Sequence, residues 1–141
     1  MSVRNIIVDS SVVVKWLSAD NEDYLTQADK LLFEVEKEKV RLYAPELAKY
    51  EVTNALLKGK KLPKTVVEEA LSVLHSLPIQ YMLETLELAQ IAYGIGKELN
   101  ITYYDASFMA LAYSLNAVLV TDNIKHQKQT KNVKVVNLKD Y

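Results

Sequence analysis

The sequence predicts an α/β fold in which helices flank a central parallel sheet. Short β-branched apolar runs alternate with longer segments whose apolar residues recur at helical spacing, and this alternation is typical of a parallel sheet with right-handed crossovers. The first run, residues 3–8, becomes almost continuously apolar, as expected for a strand buried on both faces. Only three glycines and three prolines occur, so short connections are expected. The 141 residues leave room for one domain, 1–141.

Five strands are expected in chain order. They are predicted at residues 3–8, 40–44, 78–82, 117–120 and 133–136 from their β-branched or continuously apolar composition. The first strand ends at Asp9 and is followed by a turn at Ser10 and Ser11. Residues 101–104 are predicted as a further short extended piece.

Six helices are predicted between these strands. They cover residues 12–17, 22–37, 46–58, 63–75, 85–99 and 105–115. Pro45 suits the first position of the third helix and Gly59 its C-terminal stop. Gly94 and Gly96 interrupt the fifth helix. The sixth is apolar on most faces, which predicts burial on more than one side, and residues 123–129 are expected to form a short polar turn or helix.

The composition limits the possible functions. Seventeen Lys and Arg against 18 Asp and Glu give a net charge of −1, so any binding to nucleic acid must depend on local basic patches. The absence of cysteine excludes disulfides, thiolate zinc sites and cysteine nucleophiles. No apolar run approaches the roughly 18 residues that span a bilayer, and the first residues lack a signal-peptide pattern. These features predict a cytoplasmic enzyme or binding domain with no membrane segment.

Three acids are placed where the chain leaves predicted strands. Asp9, Asp105 and Asp122 each follow an extended segment, and ligands bind outside the carboxyl ends of strands in open α/β sheets. Glu51 lies on the third helix, one turn before Asn54 and on the face of the apolar stripe. Carboxylates gathered at one edge repel each other unless protons or a cation neutralise them, and hard cations such as Mg²⁺ or Mn²⁺ prefer oxygen ligands. The sequence therefore predicts a divalent-cation site.

Each acid also has a purely structural interpretation. Asp9 and Asp105 would serve as helix N-caps, Asp122 would end a strand, and Glu51 would be an exposed helix charge. Their joint placement at one edge favours the metal site over four separate structural roles. His75 and His126 show no ligand spacing with each other.

Four motifs carry a resemblance to a known family. They are residues 9–16, residues 44–47 with 50–56, residues 104–106 with 110–112, and residues 119–122. In this order and spacing they resemble the PIN domain, and within it the VapC branch of toxin ribonucleases, over nearly the whole chain. The resemblance implies a Rossmann-like sheet of about five parallel strands and an Mg²⁺- or Mn²⁺-dependent site that cleaves single-stranded RNA. It also implies a homodimer and inhibition by a small cognate antitoxin.

The resemblance assigns the family acids to particular residues. The first three fall on Asp9, Glu51 and Asp105. The fourth family acid sits two positions after the strand-end Thr121, where this chain has Asn123, and Asp122 lies one residue early. Because side chains alternate along a strand, Asp122 would point away unless the strand end bends. Either Asp122 or Asn123 serves as the fourth site residue, and the number of metal ions, one or two, stays open.

Further residues are candidates for contacts with substrate. Lys15, on the first helix, would reach a phosphate of the substrate. Three hydroxyls and one amide near the acids would contact phosphate or support the acids: Ser10, Asn54, Ser107 and Thr121. Two basic patches offer local positive charge: Lys58, Lys60, Lys61 and Lys64, and then Lys125, Lys128, Lys131, Lys134 and Lys139. An antitoxin or dimer groove, or part of the core, is formed by Tyr24, Leu25, Leu31, Leu32 and Phe33.

The sequence leaves three candidate functions. The first is a metal-dependent endoribonuclease of the VapC toxin kind, and the second is a PIN-like RNA- or protein-binding domain with reduced or no turnover because of Asn123. The third, a phosphotransfer protein with a nucleophilic Asp, is disfavoured because the nearby acid expected two residues after Asp9 is replaced by Ser11.

Overall fold

The computed structural model describes residues 2–141 and contains a five-stranded sheet with six α-helices. The strands are β1 (Arg4–Val8), β2 (Val40–Pro45), β3 (Ile79–Met82), β4 (Val118–Thr121) and β5 (Val135–Asn137). The helices are α1 (Ser10–Leu17), α2 (Leu25–Glu36), α3 (Leu47–Lys58), α4 (Lys64–Ser76), α5 (Leu86–Leu99) and α6 (Tyr103–Ser114), and a 3₁₀ turn follows at Leu138–Asp140. The predicted α/β fold with five strands is confirmed.

The order of the strands creates a crevice beside β1. The sheet runs β3-β2-β1-β4-β5, and every neighbouring pair is parallel. From β1 the chain builds outward through β2 and β3, then returns to place β4 on the other side of β1. Ligands bind at such a reversal of strand order, outside the carboxyl ends of the strands. The ends of β1 and β4 therefore mark the expected site.

The core lies between the sheet and its helices. Ile6, Ile7 and Val8 of β1 are buried, as expected for the central strand. Helix α6 packs on β1, β2 and β4 and is covered by α5, so Phe108, Met109 and their neighbours are enclosed on several sides, which confirms the prediction for this helix. No helix within residues 2–141 is both long and apolar enough to cross a membrane.

Several predicted boundaries are wrong. Pro45 ends β2 in register with Met82 instead of opening α3, because the Glu46 N–H continues the strand pairing by donating to the Met82 carbonyl. Helix α1 begins at Ser10 rather than Val12, since Asp9 caps it. Residues 103–104 are helical instead of extended because Thr102 caps α6. Helix α5 continues through both of its glycines. Of the two alternatives for residues 123–129, the turn is confirmed, because the Asn123 carbonyl accepts hydrogen bonds from the backbone N–H groups of His126 and Gln127 and no regular helix forms there.

Candidate functional site

Asp9 is a buried acid at the junction of β1 and α1. Its Oδ2 accepts hydrogen bonds from the Ser11 backbone N–H, at 3.0 Å, and from the Ser11 hydroxyl, at 2.6 Å. Its Oδ1 accepts one from Nε2 of Gln127 at 3.0 Å. The N-cap interpretation of Asp9 is therefore confirmed, and the same carboxylate stands at the edge of the sheet where ligands are expected.

Glu51 and Asp105 are brought to the same edge by α3 and α6. Burial raises the pKa of Glu51; a hydrogen bond from the Ser10 hydroxyl, at 2.8 Å, lowers it, and the charges of Asp9 and Asp105 raise it further. Burial also raises the pKa of Asp105, against a lowering hydrogen bond from Thr102, and the charge of Asp9 adds to the increase. The three carboxylates thus interact through their charges and form what we call the acid cluster: Asp9, Glu51 and Asp105.

The acid cluster is not balanced by nearby lysine or arginine. Within residues 2–141, no Lys or Arg forms an ion pair with any of its three carboxylates. The charge of His126 lowers the pKa of Asp105, but this effect is smaller than that of burial. The cluster therefore carries an excess of negative charge that favours protons or a cation.

A second charged group lies beside the acid cluster and is balanced. Nζ of Lys15 is 2.9 Å from a carboxylate oxygen of Glu22 and 3.0 Å from one of Asp122, and Lys60 reaches Glu22 at 2.7 Å. The Lys15 side chain is only 1% exposed. Burial lowers the pKa of Lys15, but the hydrogen bonds and charges of its two partners raise it above the ordinary value. We call these four residues the charge network.

The two candidates for the fourth position are held differently. The Asp122 carboxylate pairs with Lys15, and its backbone N–H donates to the Ser11 hydroxyl at 3.0 Å. The Asn123 backbone N–H donates to the Thr121 hydroxyl at 2.9 Å. Thr121, which accepts this hydrogen bond, is fully buried. The choice between Asp122 and Asn123 as a fourth site residue stays a prediction.

The remaining substrate candidates have distinct positions. Ser10 orients Glu51, and the Ser107 hydroxyl donates to the Tyr103 carbonyl in its own helix. The side chain of Asn54 is exposed on α3. The ammonium of Lys15 is enclosed by its two carboxylate partners.

A model of the PIN domain matches residues 6–132. The chain belongs to the PIN domain family. Among solved structures it is similar to VapBC2 from Rickettsia felis bound to a promoter DNA fragment, with 19% identity, a TM-score of 0.70, and coverage of 94% of this chain and 98% of that one. It is also similar to PAE2754 from Pyrobaculum aerophilum, with 25% identity, a TM-score of 0.64, and coverage of 99% and 92%. No curated protein sequence matches the chain.

The chain is also similar to VapC20 from Mycobacterium tuberculosis, a sarcin-ricin loop cleaving toxin, with 16% identity, a TM-score of 0.61, and coverage of 83% of this chain and 87% of that one. These neighbours confirm the VapC-type PIN fold that the sequence motifs predict.

The acid cluster of this PIN domain fits a divalent cation in ligand type. Its donors are carboxylate oxygens, which Mg²⁺ and Mn²⁺ prefer, and burial, with a smaller contribution from neighbouring carboxylates, raises the pKa of Glu51 and of Asp105. Within residues 2–141, no three His, Asp or Glu side chains stand close enough together to hold an ion in this conformation. The cluster supplies suitable ligands without a preassembled coordination sphere.

Sequence reasoning missed two polar residues that shape this region of the PIN domain. Gln127 is fully buried and bonds Asp9, although its sequence neighbourhood is polar and irregular. Glu22 pairs with both Lys15 and Lys60, so Lys60, which the sequence assigns to a basic patch, is instead part of the charge network. The sequence did contain a signal for the start of α6: Thr102 and Asp105 have the spacing of a capping box, which predicts a helix start at residue 103.

An apolar cavity of about 240 Å³ opens between α3, α5 and α6. Helix α3 carries Glu51, and helix α6 carries Asp105. Tyr50 and Tyr104 line it and are 69% and 58% exposed. Each of these tyrosines immediately precedes an acid of the cluster. Two exposed aromatic rings therefore line a cavity between the helices that carry Glu51 and Asp105.

Proposed function

We propose that this PIN domain is a metal-dependent endoribonuclease that cleaves single-stranded RNA. The observation that carries the proposal is the acid cluster, in which Asp9, Glu51 and Asp105 converge without a lysine or arginine partner among residues 2–141. These three residues would hold Mg²⁺ or Mn²⁺. A bound divalent cation lowers the pKa of a coordinated water and stabilises negative charge on a phosphate.

The chain's own groups would hold and orient the site. Ser11 and Gln127 fix both oxygens of Asp9, and Ser10 fixes Glu51. The rings of Tyr50 and Tyr104 would stack on unpaired bases, an interaction worth about 1–3 kcal/mol per base. The lysines of the loop between β4 and β5 are exposed and would contact the RNA backbone. Single-stranded substrate is favoured because only unpaired bases offer free faces.

Cleavage of a fluorescently labelled single-stranded RNA tests this function. The wild-type protein is expected to cut in millimolar Mg²⁺ or Mn²⁺ and to stop in EDTA. Glu51→Gln, which retains an acceptor for Ser10, is expected to lose at least about 100-fold in rate, equivalent to about 2.7 kcal/mol. Asp29→Asn, an exposed acid on α2, serves as the matched control. Equal rates for Glu51→Gln and the wild type would exclude the acid cluster as the catalytic centre.

Substrate stacking can be tested separately from cleavage. Tyr50→Ala is expected to raise KM about tenfold or more with a smaller change in kcat, since loss of one base stack costs about 1–3 kcal/mol. Tyr93→Ala removes a ring that is 64% exposed on α5 and does not line the cavity, and it should leave KM unchanged.

We further propose that the protein is a toxin that pairs with a small antitoxin and forms homodimers in the cytoplasm. A structure from Klebsiella pneumoniae to which this chain is similar, with 16% identity and a TM-score of 0.65, is a toxin-antitoxin complex. This chain exposes Tyr24 at the start of α2 and Phe33 within it, while Leu31 of the predicted groove is core. Co-purification with the product of a neighbouring short reading frame, together with sedimentation analysis, tests both partners. A monomer that binds no such product would contradict this part of the proposal.

A second function, RNA or protein binding without turnover, is favoured by two features of the chain. The cluster of three carboxylates is not preassembled for an ion within the described residues, and the fourth family position is Asn123. RNA that is bound but remains intact in saturating Mn²⁺ would support this alternative.

A further inference from the structure

Gln127 is an uncharged polar side chain buried beside the acid cluster. It lies in the irregular segment between β4 and β5 and has no exposed surface. Glutamine is rarely buried fully unless its amide has partners. Its contacts therefore indicate why the amide is placed there.

The amide nitrogen of Gln127 joins two elements of the candidate site. Nε2 donates to Oδ1 of Asp9 at 3.0 Å and to the backbone carbonyl of Asp105 at 3.3 Å. Both partners are acceptors, so a rotated amide would place its oxygen against two other oxygens. This fixes the orientation of the side chain. The second oxygen of Asp9 is held by Ser11, and Asp9 is thus fixed from both sides.

We propose that Gln127 is a positioning residue for the acid cluster, an inference that rests on the proposed function. It sets the Asp9 carboxylate relative to the first turn of α6, which carries Asp105. It also attaches the segment containing Lys125 and Lys128 to the cluster, because both lysines are within two residues of Gln127 in the same loop.

The other end of the amide argues against a simple packing role. Oε1 of Gln127 is buried and finds no hydrogen-bond donor within residues 2–141. An unpaired buried acceptor is unfavourable, and a methionine or leucine would fill similar space without one. The contribution of this side chain therefore comes from its NH₂ group.

A neutral donor also suits a cation site better than a charged one. A lysine or arginine bonded to Asp9 would cancel the negative charge that attracts an ion, as Lys15 does for Asp122. The Gln127 amide orients the carboxylate and leaves its charge in place. Partners of this kind typically alter metal affinity or activity about 10- to 100-fold when they are removed.

Gln127→Met tests the inference, with Gln129→Met as the matched control because Gln129 is exposed two residues away. The affinity for Mn²⁺ alone is measured by calorimetry well below the melting temperature, and RNA cleavage is measured across Mn²⁺ concentrations. We expect Gln127→Met to weaken Mn²⁺ binding about 10- to 100-fold and to need correspondingly more Mn²⁺ for cleavage. Gln129→Met should match the wild type. Gln127→Asn keeps an amide but shortens its reach, and it should also weaken Mn²⁺ binding.

The outcomes separate this inference from the proposed function. If the wild type binds Mn²⁺ but cuts no RNA, the ribonuclease proposal fails. The positioning role of Gln127 is then tested by Mn²⁺ affinity alone. A folded Gln127→Met or Gln127→Asn protein with wild-type Mn²⁺ affinity would overturn the positioning role. A lower melting temperature without a change in affinity would show that the residue is only structural. A wild type that binds no Mn²⁺ would overturn both proposals.

Discussion

Two groups of charged side chains lie side by side at the carboxyl edge of the sheet, and they differ in how their charges are balanced. In the charge network, Lys15 and Lys60 are matched with Glu22 and Asp122. The acid cluster holds three carboxylates with no lysine or arginine ion pair among residues 2–141.

The pKa values of Glu22 and Glu51 are shifted in opposite directions. Burial raises the pKa of Glu22, but hydrogen bonds from Lys60 and Lys15 outweigh it, and the net change is a lowering. Burial raises the pKa of Glu51, and neighbouring acids add to the increase. Pairing stabilises the ionised form in the charge network, whereas burial and, to a smaller extent, repulsion destabilise it in the acid cluster. Similar carboxylates therefore serve stability in the charge network and are available for a ligand in the acid cluster.

The largest expected effect comes from breaking the charge network at its centre. Lys15→Met would leave Glu22 and Asp122 without their shared buried partner. Removing one member of a buried pair costs about 3–5 kcal/mol, and because Glu22 and Asp122 are 16% and 27% exposed, we expect about 2–4 kcal/mol. Equilibrium denaturation in urea measures this loss.

An exposed ion pair provides the control for this substitution. Lys64 and Glu68 approach to only 3.9 Å on the surface of α4, and Lys64→Met should cost less than about 0.5 kcal/mol. Equal losses for the two methionine variants would mean that the charge network contributes no more than a surface pair.

A smaller effect is expected where the two groups meet, at Asp122. Asp122→Asn removes one partner of Lys15, and loss of a charged hydrogen bond costs about 1–2 kcal/mol. We expect this variant to lose stability while its cleavage rate changes less than about threefold. A tenfold or greater loss in rate, with Asn123→Ala unaffected, would instead place Asp122 in the acid cluster, which is one of the two alternatives that the sequence leaves open. A rate loss confined to Asn123→Ala would identify Asn123 as the fourth site residue.

The sequence predicted the acid cluster better than the charge network, for a physical reason. Strand periodicity and topology place Asp9 at the edge of the sheet whatever the loops do. In contrast, Lys15 finds Glu22 through an irregular connection, and Gln127 reaches Asp9 across 118 residues. Such contacts depend on loop conformation, which single-sequence patterns do not determine. The start of α6 was a different error, since the Thr102 cap was present in the sequence.

The third prediction concerns the stability of the metal-free acid cluster. Glu51→Gln removes one of three mutually repelling carboxylates and keeps the acceptor for Ser10. We expect metal-free Glu51→Gln to be more stable than the wild type at pH 7 by about 0.5–1 kcal/mol, as is common when unfavourable charges are removed. Calorimetry in EDTA measures the difference. A less stable variant would show that Glu51 contributes favourable interactions beyond the Ser10 bond.

The smallest expected effect is the change with pH in the stability gain of metal-free Glu51→Gln. The folded-state pKa of Glu51 is above its ordinary value of 4.5, so ionised Glu51 opposes folding, and this cost disappears as the pH falls through the folded pKa towards 4.5. The pKa of Glu22 is below 4.5, and its stabilisation is present above 4.5 and is lost only as the pH falls through that lower pKa. The gain from Glu51→Gln should therefore fall towards zero as the pH approaches 4.5, while most of the loss from Glu22→Gln persists to that pH. Melting temperatures of both variants from pH 7 to pH 4 measure the two trends, and a Glu51→Gln advantage that is independent of pH would rule out charge repulsion as its cause.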